Sequence, residues 1–212
     1  MKIDNPVVHP HLCNVGGARW RPHRSVMMVL AKKFKELGCF VDVERAIPSL
    51  HKVDNNGVVT EAILDVVCST PGALMSSMLD VTIRCPHAVR TSDGRRSAAS
   101  QPAQAAIDGE QEKATRYGAA VKPIAFETYG RMGPCSMAAL KGATLHLSSL
   151  KRGVRGSGQS LYAMLRLDLE RALIQAIADT TLRALGHGSA LHACHRRRGA
   201  AGEAAAARGR EE

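Results

Sequence analysis

The chain has 212 residues, enough to enclose one core with appendages, and 45% of them are apolar. Its 29 lysines and arginines against 19 aspartates and glutamates leave a net charge of +10, a balance that favours polyanions, nucleic acid before an anionic membrane surface. Aromatic residues make up only 3%, which argues against stacking-based single-strand binding, and no apolar run approaches the roughly 20 residues of a membrane span. The opening Lys2-Ile3-Asp4-Asn5-Pro6 lacks the apolar core of a signal peptide. A nuclear or cytoplasmic protein is therefore expected, not a secreted one, with no membrane and no small-molecule cofactor among its partners. Cys13, Cys39, Cys68, Cys85, Cys135 and Cys194 are scattered and form no CxxC pair, so they read as reduced thiols.

Residues 1–22 read as irregular. His9, His11 and Cys13 are candidate zinc ligands, but the second half of a four-ligand site is missing, and an unligated loop is the simpler reading. Pro22 suits a first helical turn, and the run from His23 predicts a helix ending at Gly38, with Val26, Leu30, Phe34 and Leu37 on one face. Lys32, Lys33 and Lys35 lie away from that face, as a solvated or phosphate-contacting side. Residues 39–47 alternate as a strand that Pro48 stops, and Asp54-Asn55-Asn56-Gly57 is a turn.

The centre of the chain repeats one pattern. Ile63-Leu64-Asp65-Val66-Val67 and Met78-Leu79-Asp80-Val81-Thr82-Ile83 are β-branched runs, each broken by one aspartate, with Pro71-Gly72 between them. They read as two strands joined by a turn. An ionised aspartate in an apolar strand is costly unless something pairs with it, and two on neighbouring strands could share a divalent cation.

A loop from Pro86 to about Ala99 carries arginines against a lone Asp93. A helix is expected over 98–117, a fourth strand over 121–129, and helices over 136–150 and 160–186. Between the last two, Lys151-Arg152-Gly153-Val154-Arg155 opens a basic linker, and from Thr128 to Leu167 there is no acidic residue at all. The alanine-rich residues 187–212 are expected to be disordered or a frayed helix; His187, His192, Cys194 and His195 look like ligands without a rigid scaffold.

The order helix, strand, strand, strand, helix, strand is that of the PD-(D/E)xK restriction-like nuclease superfamily. A closer similarity lies in G-G-A-R-W-R-P-H-R, V-E-R-A-I-P, L-D-V-V, L-D-V-T-I-R-C-P-H-A-V-R, E-K-A-T-R-Y-G and F-E-T-Y-G-R-M-G. Over about residues 9–150 the chain resembles the C-terminal region of reverse-transcriptase proteins of non-LTR retrotransposons, as a fragment or relic without the polymerase. The resemblance implies an α/β fold with a restriction-endonuclease-like core over 23–150, a small mixed sheet flanked by helices, followed by a C-terminal helical extension.

It also implies a Mg²⁺- or Mn²⁺-dependent cut in DNA, with RNA as a further polyanion partner. Asp65 matches the superfamily's first acid and Asp80-Val81-Thr82 its tripeptide, with Thr82 standing where the lysine belongs. Asp65 and Asp80 would hold the metal, with the Val81 carbonyl a third ligand. Lys113 would replace the lysine: Ala106, Glu110, Lys113 and Tyr117 form one helical stripe, and Tyr117 should turn it toward the protein. The plainer alternative is a surface pair of Glu110 with Lys113.

Glu44 is a weaker site candidate, and it and Glu127 are otherwise expected to pair with Arg45 and Arg131; Glu127 could equally hold Tyr117 or a backbone amide. Arg84, Arg90, Arg95, Arg96, Lys151, Arg152 and Arg155 are the candidate nucleic-acid contacts. Two further readings remain open on the residues: an inactive nucleic-acid-binding remnant, and a basic structural module in which Asp65 and Asp80 only bond buried arginines such as Arg84.

Overall fold

Short β-branched runs build the sheet, and amphipathic runs build the helices that cover it. The computed structural model describes residues 19–70, 77–87, 98–150 and 158–208, with side chains as far as residue 183. Its elements are α1 (Trp20–Glu36), β1 (Phe40–Ala46), the short strands β2 (Lys52–Val53) and β3 (Val59–Thr60), β4 (Ile63–Ser69), β5 (Ser77–Arg84), α2 (Gln104–Tyr117), β6 (Val121–Glu127), α3 (Pro134–Leu150) and α4 (Gly158–Arg208). The fold is α/β. Its main sheet runs β1-β4-β5-β6, antiparallel at the first two joins and parallel at the third.

α1 stops where the sequence says it should. Gly38 takes φ +84, and the amides of Gly38 and Cys39 donate back to the carbonyls of Lys35 and Phe34. Val26, Met27, Leu30, Ala31 and Phe34 then form one cluster with Val66, Leu79, Val81, Ile124 and Phe126 of the sheet and Leu165, Leu169 and Leu173 of α4. Lys33 is more than a solvated side chain: its Nζ lies 2.9 Å from Asp168 and ties α1 to α4. Tyr117 of α2 packs on the opposite sheet face with Leu64, Val67 and Val121. The Asp54 turn closes the β2–β3 hairpin, with Asp54 Oδ1 accepting from the amides of Asn56 and Val58.

Two boundaries and one pairing differ from expectation. Residues 98–100 are a separate helical turn, because Ala103 takes a left-handed φ of +64 and α2 begins only at Gln104. α4 does not stop at Gly186 as expected but continues as helix to Arg208, through residues for which disorder or a frayed helix was expected. Each of Gly186, Gly188, Gly199 and Gly202 costs about 1 kcal/mol against alanine, and the stretch between them is rich in alanine, the best helix former. Glu110 does not pair with Lys113. It caps α3, with Oε1 accepting from Ser136 N at 2.7 Å and from Ser136 Oγ at 2.6 Å. Its Oε2 accepts from Cys135 N at 3.2 Å. Glu127 plays the same part for α2, accepting from Ala105 N at 3.2 Å, with Arg131 at 3.8 Å.

The crossing of α2 over β5 is set by Gly109. A Cβ there would lie 2.9 Å from Thr82 Cγ2, closer than real packing allows. Gly109→Ala is therefore expected to destabilise the fold by about 1–3 kcal/mol despite the better helix propensity of alanine. Adding Thr82→Ser removes the clashing methyl and should restore most of the loss in a denaturant melt. A Gly109→Ala protein as stable as the parent would show that α2 does not sit this close.

Candidate functional site

β4 and β5 pair only over Val66↔Leu79, Val67↔Met78 and Cys68↔Ser77. One step further, the same register sets Asp65 opposite Asp80, but the ladder has already ended there. The strands part at the two aspartates. On β4 the alternation also slips, because Leu64 and Val67 both join the α2-side cluster while Val66 joins the α1-side cluster. β1 bends at the same level: Glu44, opposite Asp65 in register, leaves the ladder with φ +52, a left-handed value that costs a non-glycine residue about 1–2 kcal/mol.

The opening is filled by side-chain bonds. Asp65 Oδ2 accepts from Val81 N at 2.6 Å, a backbone donor that a longer β4–β5 ladder would have used. His23, in the first turns of α1, places Nε2 at 3.1 Å from the same Oδ2. From the other side, Lys113 of α2 brings Nζ to 2.6 Å from Asp80 Oδ2. That contact is a short ion pair, and it is what meets the buried Oδ2. Asp65 and Asp80 are only 9% and 3% exposed.

Two buried carboxylates facing one another do not ionise alike. Burial and then the Asp65 contact push Asp80 up to about 6, against the pull of Lys113. Burial would raise Asp65 too, but hydrogen bonds from His23 and from the Asp80 carboxyl hold it below the usual carboxylate value. His23 is raised: burial opposes its charge, and the bond to Asp65 together with both aspartate charges outweighs burial.

Asp65, Asp80 and Lys113 are thus brought together, with Tyr117 buried beside them and the Lys113 ammonium 5.9 Å from its ring. His23 is the member that the sequence reading missed. Its signal was its place just after Pro22 at the head of an amphipathic helix, inside one of the recognised runs. Val81 contributes its amide to Asp65, rather than a carbonyl to a metal.

Glu44 stands off from the pair, its side chain about half exposed and Oε1 3.8 Å from Arg24; the expected partner Arg45 bonds Asp42 instead. Arg84 bonds neither aspartate. Its Nη2 lies 2.7 Å from Glu112 and its Nε donates to Thr82 Oγ1, so the structural reading built on Arg84 loses its stated bonds. Arg90, Arg95, Arg96, Lys151, Arg152 and Arg155 lie outside the described residues, as do His9, His11, Cys13 and the Pro71-Gly72 turn, and the side chains of His187, His192, Cys194 and His195.

Among the described residues no group of three or more His, Cys, Asp or Glu side chains gathers to hold a metal, and no helix is long and apolar enough to cross a membrane. No protein-family model matches the chain, and no curated protein matches it.

The pH dependence follows from Asp80. Its carboxyl ionises near 3.8 when free and at about 6 in the fold, so between those values the folded state keeps a proton that the unfolded chain has lost. Stability should therefore fall as pH rises through that window and level off above it. Asp80→Asn should match the parent near pH 4 and exceed it at pH 7.5 by on the order of 1–3 kcal/mol. Thermal melts at the two pH values decide it; a less stable variant at pH 7.5 would contradict the assigned direction.

Proposed function

We propose that the chain carries a restriction-like, metal-dependent DNA endonuclease site. The observation that carries this reading is the convergence of Asp65, Asp80 and Lys113 where β4 and β5 part. The order of strands and helices around that opening, with an antiparallel run of three strands followed by α2 and a parallel β6, supports a restriction-endonuclease-like core over 23–150.

The donor set fits Mg²⁺ or Mn²⁺. Both carboxylates supply oxygen, and they lie buried side by side where β4 and β5 stop pairing. Mg²⁺ is commonly held by one or two carboxylates with water and substrate phosphate completing its shell, so two protein ligands suffice. Asp65 and Asp80 would hold the ion, which when bound supplies an activated water and charge stabilisation at the scissile phosphate.

The chain's own groups do the rest. His23 and the Val81 amide fix the Asp65 carboxylate from two directions, so it does not swing toward solvent. Lys113 brings a cation to the same opening, where it can meet the charge that builds on a cleaved phosphate, the task of the superfamily lysine that Thr82 cannot perform. The basic surplus of the chain, including the linker at 151–155, supports a polyanionic substrate bound largely through phosphates.

With purified protein and supercoiled DNA, Mg²⁺ or Mn²⁺ should produce nicks that EDTA stops. Asp65→Ala and Asp80→Ala should each abolish nicking, and Lys113→Ala should slow it by roughly 10²–10³-fold. Binding to duplex DNA should persist in the aspartate variants, since each removes a negative charge. Binding by the parent with no nicking under either metal would leave an inactive nucleic-acid-binding remnant; nicking that survives Asp80→Ala would place the chemistry elsewhere.

A further inference from the structure

The chain has one tryptophan, and it is not used in the core. Trp20 is 54% exposed and belongs to neither hydrophobic cluster. Burying such a side chain is worth several times the cost of ordering it, so an indole left open on a structured helix has given up a large apolar contribution. Its position is specific. Trp20, His23 and Arg24 stand at i, i+3 and i+4 on α1, one helical turn, and the same turn delivers His23 Nε2 to Asp65. Arg24 places its guanidinium carbon 4.9 Å from the indole centroid, while its Nη1 is 3.8 Å from Glu44 Oε1.

We infer that Trp20, stacked on Arg24, is a platform for one unpaired nucleobase next to the scissile phosphate, so that the preferred substrate is DNA with an unpaired nucleotide at the cut: a fork, flap or junction, ahead of intact duplex. The inference rests on the proposed nuclease reading for the position of the phosphate. Trp20 is one helical turn along α1 from the histidine that reaches Asp65, which puts the indole on the side of the opening where a strand held at the two aspartates would run. In B-form duplex the faces of the bases are covered by their neighbours, and an external indole reaches one only where the stack is interrupted. Arg24 on the indole favours this use, because cation and aromatic together make a flat, positively charged surface beside an anionic backbone. The scarcity of aromatics is no obstacle: a track for a long single strand needs several stacking residues, and a cleavage site needs one.

Because Trp20 is the sole tryptophan, indole fluorescence reports on it alone. The full chain would be titrated in EDTA, so that nothing is cut, with a forked DNA carrying an unpaired arm and with a blunt duplex of the same sequence. The fork is expected to quench the emission and to bind roughly tenfold more tightly than the duplex, the lower range of what one base–aromatic stack contributes. Trp20→Ala should bring fork affinity down to the duplex level and leave duplex affinity alone; Trp20→Phe should retain part of the preference. Circular dichroism would establish that both variants fold.

Equal binding of fork and duplex, or binding of the fork without quenching, would overturn the platform and leave the nuclease reading standing. Quenching and fork preference in a protein that never nicks DNA would support the platform as a binding surface while removing the nuclease reading. Absence of binding to either DNA would remove both.

Discussion

Two carboxylates meet at the end of a β-ladder, and the arrangement of α1 and α2 answers that fact. Asp65 and Asp80 face each other in register, buried, where β4 and β5 stop pairing. Left alone, such a pair would repel in a medium that screens poorly. Each sheet face sends one helix to it: α1 supplies His23 to Asp65, and α2 supplies Lys113 to Asp80. Burial, and after it the contact with Asp65, still keeps Asp80 raised against the pull of Lys113. A fold that needed only stability would place apolar residues here, since replacing a buried charged cluster by packed hydrophobes is often neutral or favourable.

The other buried acids make the contrast. Glu110 and Glu127 are as buried as the aspartates, yet each sits at the start of a helix and accepts from its free amides. There the carboxylate meets backbone donors at the start of a helix, although burial still raises Glu127 against the pull of the Ala105 amide and Arg131. Glu110 locks α3 to α2, and a side chain at Gly133 would land on its carboxylate. These two acids hold the scaffold. Asp65 and Asp80 lie away from helix starts and cap no helix; they take their partners from side chains and one displaced strand amide.

The strands were legible because their β-branched runs are short and bounded by Gly, Pro and Asp clusters; β1, β4, β5 and β6 fall within a residue or two of expectation. The register that sets Asp65 opposite Asp80 was implicit in the repeat of one pattern on adjacent strands. Lys113 was legible through Tyr117, whose bulk turns the helix stripe inward, although Glu110 was given the wrong partner. What stayed hidden depends on tertiary packing: the left-handed backbone of Glu44 and Ala103, the slip of alternation at Asp65, and the reach of His23 across from α1. No local propensity marks a histidine that will meet an aspartate 42 positions away. α4 was misjudged at Gly186 because a stop signal was read without weighing the helix formers beyond it.

The same packing explains why position 82 holds a short side chain and not a long cation. Thr82 is buried under α2, its methyl at the edge of where a Gly109 Cβ would stand. A lysine at 82 would have to thread a long charged chain through that contact, and α2 would have to lift from β5 to admit it. With threonine on the strand and glycine on the helix, α2 instead lies close enough for residue 113, one turn beyond Gly109, to reach Asp80 at 2.6 Å. The close crossing and the source of the ammonium are therefore one constraint: bringing the helix down excludes a cation from the strand and delivers one from the helix. A charge carried on α2 also enters from the side opposite His23, so the two aspartates are gripped from both faces of the sheet, and the position of each depends on the helix that reaches it.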